Sequence, residues 1–273
     1  MIGIIILALH KQTYATAAFN LALSIKKHNP DLNITLLSDN IHQKVYRTEH
    51  YAVFDWIKEI SKDDYTNNGQ FCPAKAKLSV YKYSSYKQSL YLDADSICCQ
   101  NLDSLFEQLK GFAFKSNNVE GYTQWVDTEI FKSFFGVEPG LTINSSWMYF
   151  ENSKVFKQAE KYYNKGFDFK NLKQRWGKSL PDELFLNASI QKLQVDPKTA
   201  IPVMFFDDKK SRKAISEIES EYYLMTFYGN ANSTSLSYRE WYDKHLFKLC
   251  KEKGIEHRFK MSEIIAHKHV NSK

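Results

Sequence analysis

Several protein classes are excluded by what this chain does not contain. No apolar run approaches the roughly 20 residues that a membrane-spanning helix needs. The one at the start, Met1 to Leu9, has no basic segment before it and no small-residue cleavage site after it, so it is expected to be a buried first strand. Cysteine is sparse: Cys72, Cys98, Cys99 and Cys250 show no C-x-x-C spacing, and the adjacent pair is badly placed for an intrachain bridge. Those thiols are expected to be reduced, in a cytoplasmic setting. Internal repeats, low-complexity tracts and Gly/Ser linkers are absent as well. The net charge of +6, from 37 basic and 31 acidic residues, is too small to name a partner class.

What is present is a large apolar inventory. In 273 residues, 43% are hydrophobic, with 17 Tyr and 19 Phe, enough for one domain with a substantial core and an elaborated C-terminal third. Ile2 to Ala8 is a continuous aliphatic run, as in a strand buried on both faces. From Thr13, a candidate N-cap, Ala17, Ala18, Leu21, Ala22 and Ile25 recur at helical spacing. Lys26, Lys27 and His28 suit the negative end of that helix, and Asn29-Pro30 stops it. Asn33 to Leu37 reads as a second strand. A β-α-β opening predicts a doubly wound α/β sheet, in which ligands collect beyond the carboxyl ends of strands.

The densest chemical signal is Ser89-Leu-Tyr-Leu-Asp-Ala-Asp-Ser96, an apolar run ending in two carboxylates. Strand side chains alternate faces, so Asp93 and Asp95 are expected on one side and Ala94 on the other. Two converging carboxylates offer hard oxygen ligands to magnesium or manganese and leave positions for water and phosphate oxygens. A solvated pair at a strand end is the bland alternative.

Further along, Tyr51 to Ile57 is a candidate strand, Asp63 to Gly69 a loop, and Pro73 to Tyr83 a helix carrying Lys75 and Lys77, whose bland role is a solvated face. Asn101 to Leu109 suits a short helix and Phe112 to Phe114 a strand, while Gly121 to Glu138 supports no assignment. Thr142 to Phe150 reads as a strand with Asn144 and Ser145 at its start, followed by a basic amphipathic helix from about Ser153 to Lys165. In Pro181-Asp182-Glu183, proline fits a first helical position and the acids a first turn, a sufficient structural role. The last third offers a strand at Tyr222 to Tyr228, a helix from Ser237 to Lys253 and a basic tail.

In this order the pieces resemble the GT-A fold glycosyltransferases of family 8, which includes glycogenin and bacterial lipopolysaccharide galactosyl- and glucosyltransferases. Tyr14 to His28 is similar to the family's first helix, and Lys77 precedes Asp93 by its usual interval. YLDADSICCQNLDSLF resembles its metal motif, INSSWMYF its Asn-containing acceptor-side strand, and PDELFLN its later Asp-x-x-x-x-Asn segment. The likeness spans roughly residues 2–230. It implies a single GT-A domain over 1–273, with a nucleotide-binding half (1–115) and an acceptor-side half (116–273). It also implies a retaining hexosyl transfer from a nucleotide sugar, a UDP-hexose by analogy, with Mn2+ or Mg2+. Under it, Tyr14 stacks on or edges the nucleotide base while Ala8 and Leu9 give backbone contacts. Asp93 touches ribose or metal and Asp95 binds the metal, with Ala94 between them, and Lys77 holds donor sugar or phosphate. Asn144 faces the transferred sugar, and Asp182 lies under the anomeric carbon.

One departure bears on the metal. The family's His-Phe-x-Gly reads Thr226-Phe227-Tyr228-Gly229 here, and the Lys-Pro-Trp that often follows is missing. Thr226 could ligate weakly, His267 or His269 could substitute, or the carboxylates and diphosphate could suffice; a binding module that has lost catalysis is a further reading. Nucleotidyl transfer is disfavoured because Ala8 to Thr13 contains no glycine. The acceptor stays open between glycan, lipid, protein and nucleic acid. Lys157/Lys161/Lys165, Lys170/Lys173/Arg175/Lys178 and Lys209/Lys210/Arg212/Lys213 could track phosphates or be solvated faces.

Overall fold

A computed structural model describes residues 1–116, 121, 123–173, 180–197, 199, 201–206, 213–227 and 236–255. It opens with β1 (Ile2–Ala8), α1 (Gln12–His28), β2 (Asn33–Ser38), α2 (Thr48–Tyr51) and β3 (Trp56–Glu59). Next come α3 (Lys62–Tyr65), the hairpin β4 (Thr66–Asn67) and β5 (Gln70–Phe71), and α4 (Pro73–Ser79). The middle holds β6 (Gln88–Asp93), β7 (Ser96–Cys98), α5 (Asp103–Gln108), β8 (Phe112–Ser116), α6 (Thr128–Phe135) and β9 (Ile143–Phe150). The rest is α7 (Lys154–Asn164), α8 (Asp182–Leu193), β10 (Met204–Phe206), α9 (Ile215–Glu221), β11 (Leu224–Thr226) and α10 (Leu236–Glu252).

The main sheet has six strands in the order β3-β2-β1-β6-β9-β8. β1, β2 and β3 run parallel, whereas β8 and β9 are antiparallel with a register shift between Phe114 and Lys115. This is the mixed, mostly parallel α/β sheet expected. A second sheet of three short strands runs β10-β11-β7. Two compact units draw on interleaved segments. The first takes Met1–Ile2, Ile60–Tyr91 and Leu109–Ile201, and the second takes Gly3–Glu59, Leu92–Gln108 and Pro202–Lys273. In the first unit, Phe135, Phe167, Tyr162 and Phe185 pack ring on ring where α6, α7 and α8 meet. In the second, α1 is buried from Ala15 to Ile25.

Helix α1 starts one residue before the expected cap. Lys11 occupies the N-cap without a side-chain bond, and Thr13 lies in the first turn. Its end is as read: Asn29 is buried, its amide donates to the Ile25 carbonyl, and its side-chain oxygen accepts from Leu102 N–H at 2.7 Å. The strand expected from Tyr51 to Ile57 is corrected, since Tyr51 ends α2 and pairing with β2 begins only at Trp56. The loop expected at Asp63 to Gly69 holds α3 and a hairpin whose corner residues, Asn68 (φ 49°) and Gly69 (φ 75°), take the positive φ of a tight hairpin turn. The helix expected through Tyr83 is α-helical only to Ser79 and finishes as a 3-10 turn. Pro181 sits at the N-cap of α8 rather than in its first turn. All four cysteines are free and buried, and burial pushes the Cys98 thiol up to about 12.

Candidate functional site

In the second unit the Asp93-Ala94-Asp95 segment is a turn. β6 ends at Asp93, and β7 starts at Ser96. Strand alternation therefore stops at Asp93, and the direction of Asp95 is set by the turn. Both aspartates are half-buried, whereas Ala94 is buried. The carbonyl of Asp95 accepts the backbone N–H of Phe227 at 2.8 Å and the Thr226 hydroxyl at 3.3 Å. β7 is also registered on β11, with Ser96 opposite Thr226. Thr226, where the resemblance expects histidine, is 1% exposed and gives its proton to main chain, so it fixes the turn.

Two half-buried carboxylates on a fixed turn are a hard oxygen donor set, which fits Mg2+ or Mn2+ with coordination positions left over. Among the described residues no group of three His, Cys, Asp or Glu side chains gathers. His267, His269, Tyr228 and Gly229 lie outside the described residues.

The end of β1 lies in the same unit. Ala8 and Leu9 are buried, and Tyr14, in the first turn of α1, is half-buried. The turn between them uses no glycine. His10 takes φ 70°, and its N–H donates to Asp39 Oδ2 at 2.9 Å, which offsets part of the cost of a left-handed residue.

In the first unit, α4, β9 and α8 gather a different set. Lys77 is half-buried, and its ammonium donates to Ser145 Oγ at 3.3 Å and lies 5.8 Å from the centroid of the Tyr91 ring. Asn144, one residue before, is half-buried and accepts the N–H of Ser146. Asp182 opens α8 with Oδ2 buried and without a hydrogen-bond partner among the described residues.

Beside it Glu183 accepts three N–H groups: Ser145 N on Oε1 at 3.1 Å, and Trp125 Nε1 at 2.9 Å and Gln124 Nε2 at 3.2 Å on Oε2. The residue keeps some exposure, but its carboxyl is packed among protein atoms. That desolvation, with the Asp182 carboxylate next to it, pushes the group up to about 7 against the opposing pull of the Ser145 N–H, Lys77 and Trp125. Read along the chain, Glu183 has only a helix-start role. The adjacent acids were visible; the arrival of Trp125 and Ser145 was not. Asn187 is a clamp, accepting from Gly140 N–H at 2.8 Å and donating to the Leu141 carbonyl at 2.9 Å.

The basic clusters divide. Lys157, Lys161 and Lys165 are exposed along α7, Lys173 pairs with Asp127, and Lys213 pairs with Glu221. Arg175, Lys178, Lys209, Lys210 and Arg212 lie outside the described residues.

No protein-family model matches the chain, and no curated relative is detected. Solved structures do match. The bifunctional glycosyltransferase WbbM superposes with a TM-score of 0.60 at 12% identity, covering 92% of this chain and 51% of that one. The galactosyltransferase LgtC, solved with donor and acceptor sugar analogs, gives 0.57 at 13% identity, covering 96% and 99%. GlyE of Streptococcus pneumoniae gives 0.52 at 16%, covering 94% and 66%. The chain has the GT-A fold. It spans about half of WbbM and nearly the whole of LgtC. Within the GT-A fold the order of elements read from the sequence is retained, from the β-α-β opening to the strand ending at Asp93.

Proposed function

We propose that this chain is a metal-assisted, configuration-retaining glycosyltransferase that moves a hexose from a nucleotide sugar, a UDP-hexose by resemblance, to an acceptor. The observation that supports it most is a pinned Asp-x-Asp turn at the end of a central strand in a GT-A fold. Asp93 and Asp95 would hold Mn2+ or Mg2+, which would supply Lewis-acid stabilisation of the departing diphosphate. Lys77 adds a positive charge whose value rises as the sugar–phosphate bond breaks, since negative charge then grows on the leaving group. Glu183 holds Ser145, and through it the Lys77 contact, in a fixed arrangement. By resemblance Asp182, whose carboxylate keeps one oxygen without a hydrogen-bond partner among the described residues, would lie under the anomeric carbon.

Mass-spectrometric scoring of nucleotide release from a panel of nucleotide sugars, with and without Mn2+, tests this directly. Metal-dependent release from one donor supports it; none from any donor, with acceptor mixtures present, rejects it. Thr226 motivates a second reading, a nucleotide-sugar binding module without turnover. Tight binding of intact donor that is never consumed would favour that reading.

A further inference from the structure

The Asp95 turn is braced from behind by a chain of contacts that reaches α1. The Phe227 N–H holds the Asp95 carbonyl at 2.8 Å, and the Phe227 ring meets Tyr242 of α10 edge-on, with centroids 4.6 Å apart. Tyr242 is 1% exposed, and its hydroxyl accepts Asn20 Nδ2 of α1 at 3.0 Å; Asn20 is itself 3% exposed. Trp241 adds a stacked contact to Phe227 at 6.4 Å. A buried ring that both fills space and satisfies a buried amide fixes its neighbours more tightly than packing alone, because any displacement breaks a hydrogen bond in low dielectric.

We propose that Tyr242 is a positioning residue for the carboxylate turn: by pressing on Phe227 while tied to Asn20, it sets where Asp95 is presented. The proposal rests on the reading of Asp95 as a metal-holding residue and assigns α10 a part in the same site. Its core, that Tyr242 holds the Phe227–Asp95 contact, can be measured without any turnover. Loss of the ring should free the Phe227 amide, and loss of the hydroxyl alone should free it less.

The test compares wild type with Tyr242→Leu, Tyr242→Phe and, as a control on an exposed face of the same helix, Phe247→Ser. Amide hydrogen exchange is read at Phe227 and along α10, and Mn2+ binding is read by electron paramagnetic resonance in the presence of UDP. In Tyr242→Leu, exchange at Phe227 should accelerate by about tenfold or more while the α1 amides stay protected, and the Mn2+ midpoint should rise by about three- to tenfold. Tyr242→Phe should fall between, and Phe247→Ser should match wild type. Unchanged exchange at Phe227 in a folded Tyr242→Leu overturns the positioning role. So does uniform acceleration throughout α10 in Tyr242→Leu and Tyr242→Phe alike, which marks plain loss of stability. Altered Phe227 exchange with no Mn2+ binding by any variant, wild type included, keeps the brace and rejects the metal reading.

Discussion

The two carboxylate clusters are built on opposite principles. In the second unit, Asp93 and Asp95 are half-exposed, and what the protein fixes is their backbone: a carbonyl held twice and a strand registered behind it. In the first unit, Glu183 is fixed through its side chain, with N–H groups from three residues on its two oxygens. A carboxylate fixed through its main chain can still turn its oxygens toward a ligand. One whose oxygens are already engaged is prepared to hold protein. The difference separates groups that would carry the chemistry from groups that keep other groups in place, and it can be broken or sharpened by substitution.

The largest effect is expected at the turn. Asp95→Asn keeps volume and the backbone pins but removes a charged ligand, and sugar transfer should fall by about a thousandfold, roughly 4 kcal/mol of transition-state stabilisation. Asp93→Asn should behave alike, with melting temperature unchanged in both. Wild-type turnover in either at limiting Mn2+ would show that the pair is only a solvated strand end. Lys77→Ala is next. Under the proposed function its charge would matter most as the diphosphate leaves, so kcat should drop about tenfold to a hundredfold with KM changed less. A rise confined to KM would make Lys77 a ground-state contact.

The same contrast explains what the sequence disclosed. The Asp-x-Asp motif was legible because its residues are contiguous and the apolar run before them is a strand with no other interpretation; the β-α-β opening was legible for the same local reason. Glu183 was not, because its partners come from three places, Gln124-Trp125, Ser145 and Lys77, and no spacing rule connects them. Three-residue strands such as β7, β10 and β11 are too short to show a period, so the sequence carries no sign of β7 or β10 and suggests a longer β11. Thr226 was visible as a departure, but its bond to the Asp95 carbonyl depends on the β7–β11 pairing. The left-handed His10 is equally a tertiary matter, since the Asp39 that holds its N–H lies 29 residues on.

Glu183 itself should show up first in stability. Glu183→Ala leaves the Ser145, Trp125 and Gln124 donors without an acceptor, so unfolding should become easier by about 2–3 kcal/mol, read by denaturant midpoint at constant slope. A loss under about 0.5 kcal/mol would mean that water replaces the carboxyl at little cost and that the cluster is not a structural knot.

The smallest effect is the most discriminating, because it asks which force governs the Glu183 proton. Desolvation and Asp182 raise the carboxyl to about 7, from the 4.5 of a free glutamate. The folded chain then keeps a proton that the unfolded chain has already released between those values. Stability from this group is therefore present in full below about pH 4.5 and is lost as pH rises through about 7. Allowing for the residue's partial exposure, the loss should be about 1–2 kcal/mol. Glu183→Gln removes the titration while keeping the shape, although its NH2 must face an N–H donor on one side, a cost that does not vary with pH. The difference in unfolding free energy between wild type and Glu183→Gln, followed from pH 4.5 to 8, should thus shrink as pH rises. A difference that grows instead would show that the N–H donors and Lys77 outweigh burial and hold Glu183 ionised throughout. A flat difference would place its titration outside this window and remove the pH-sensitive character of the cluster.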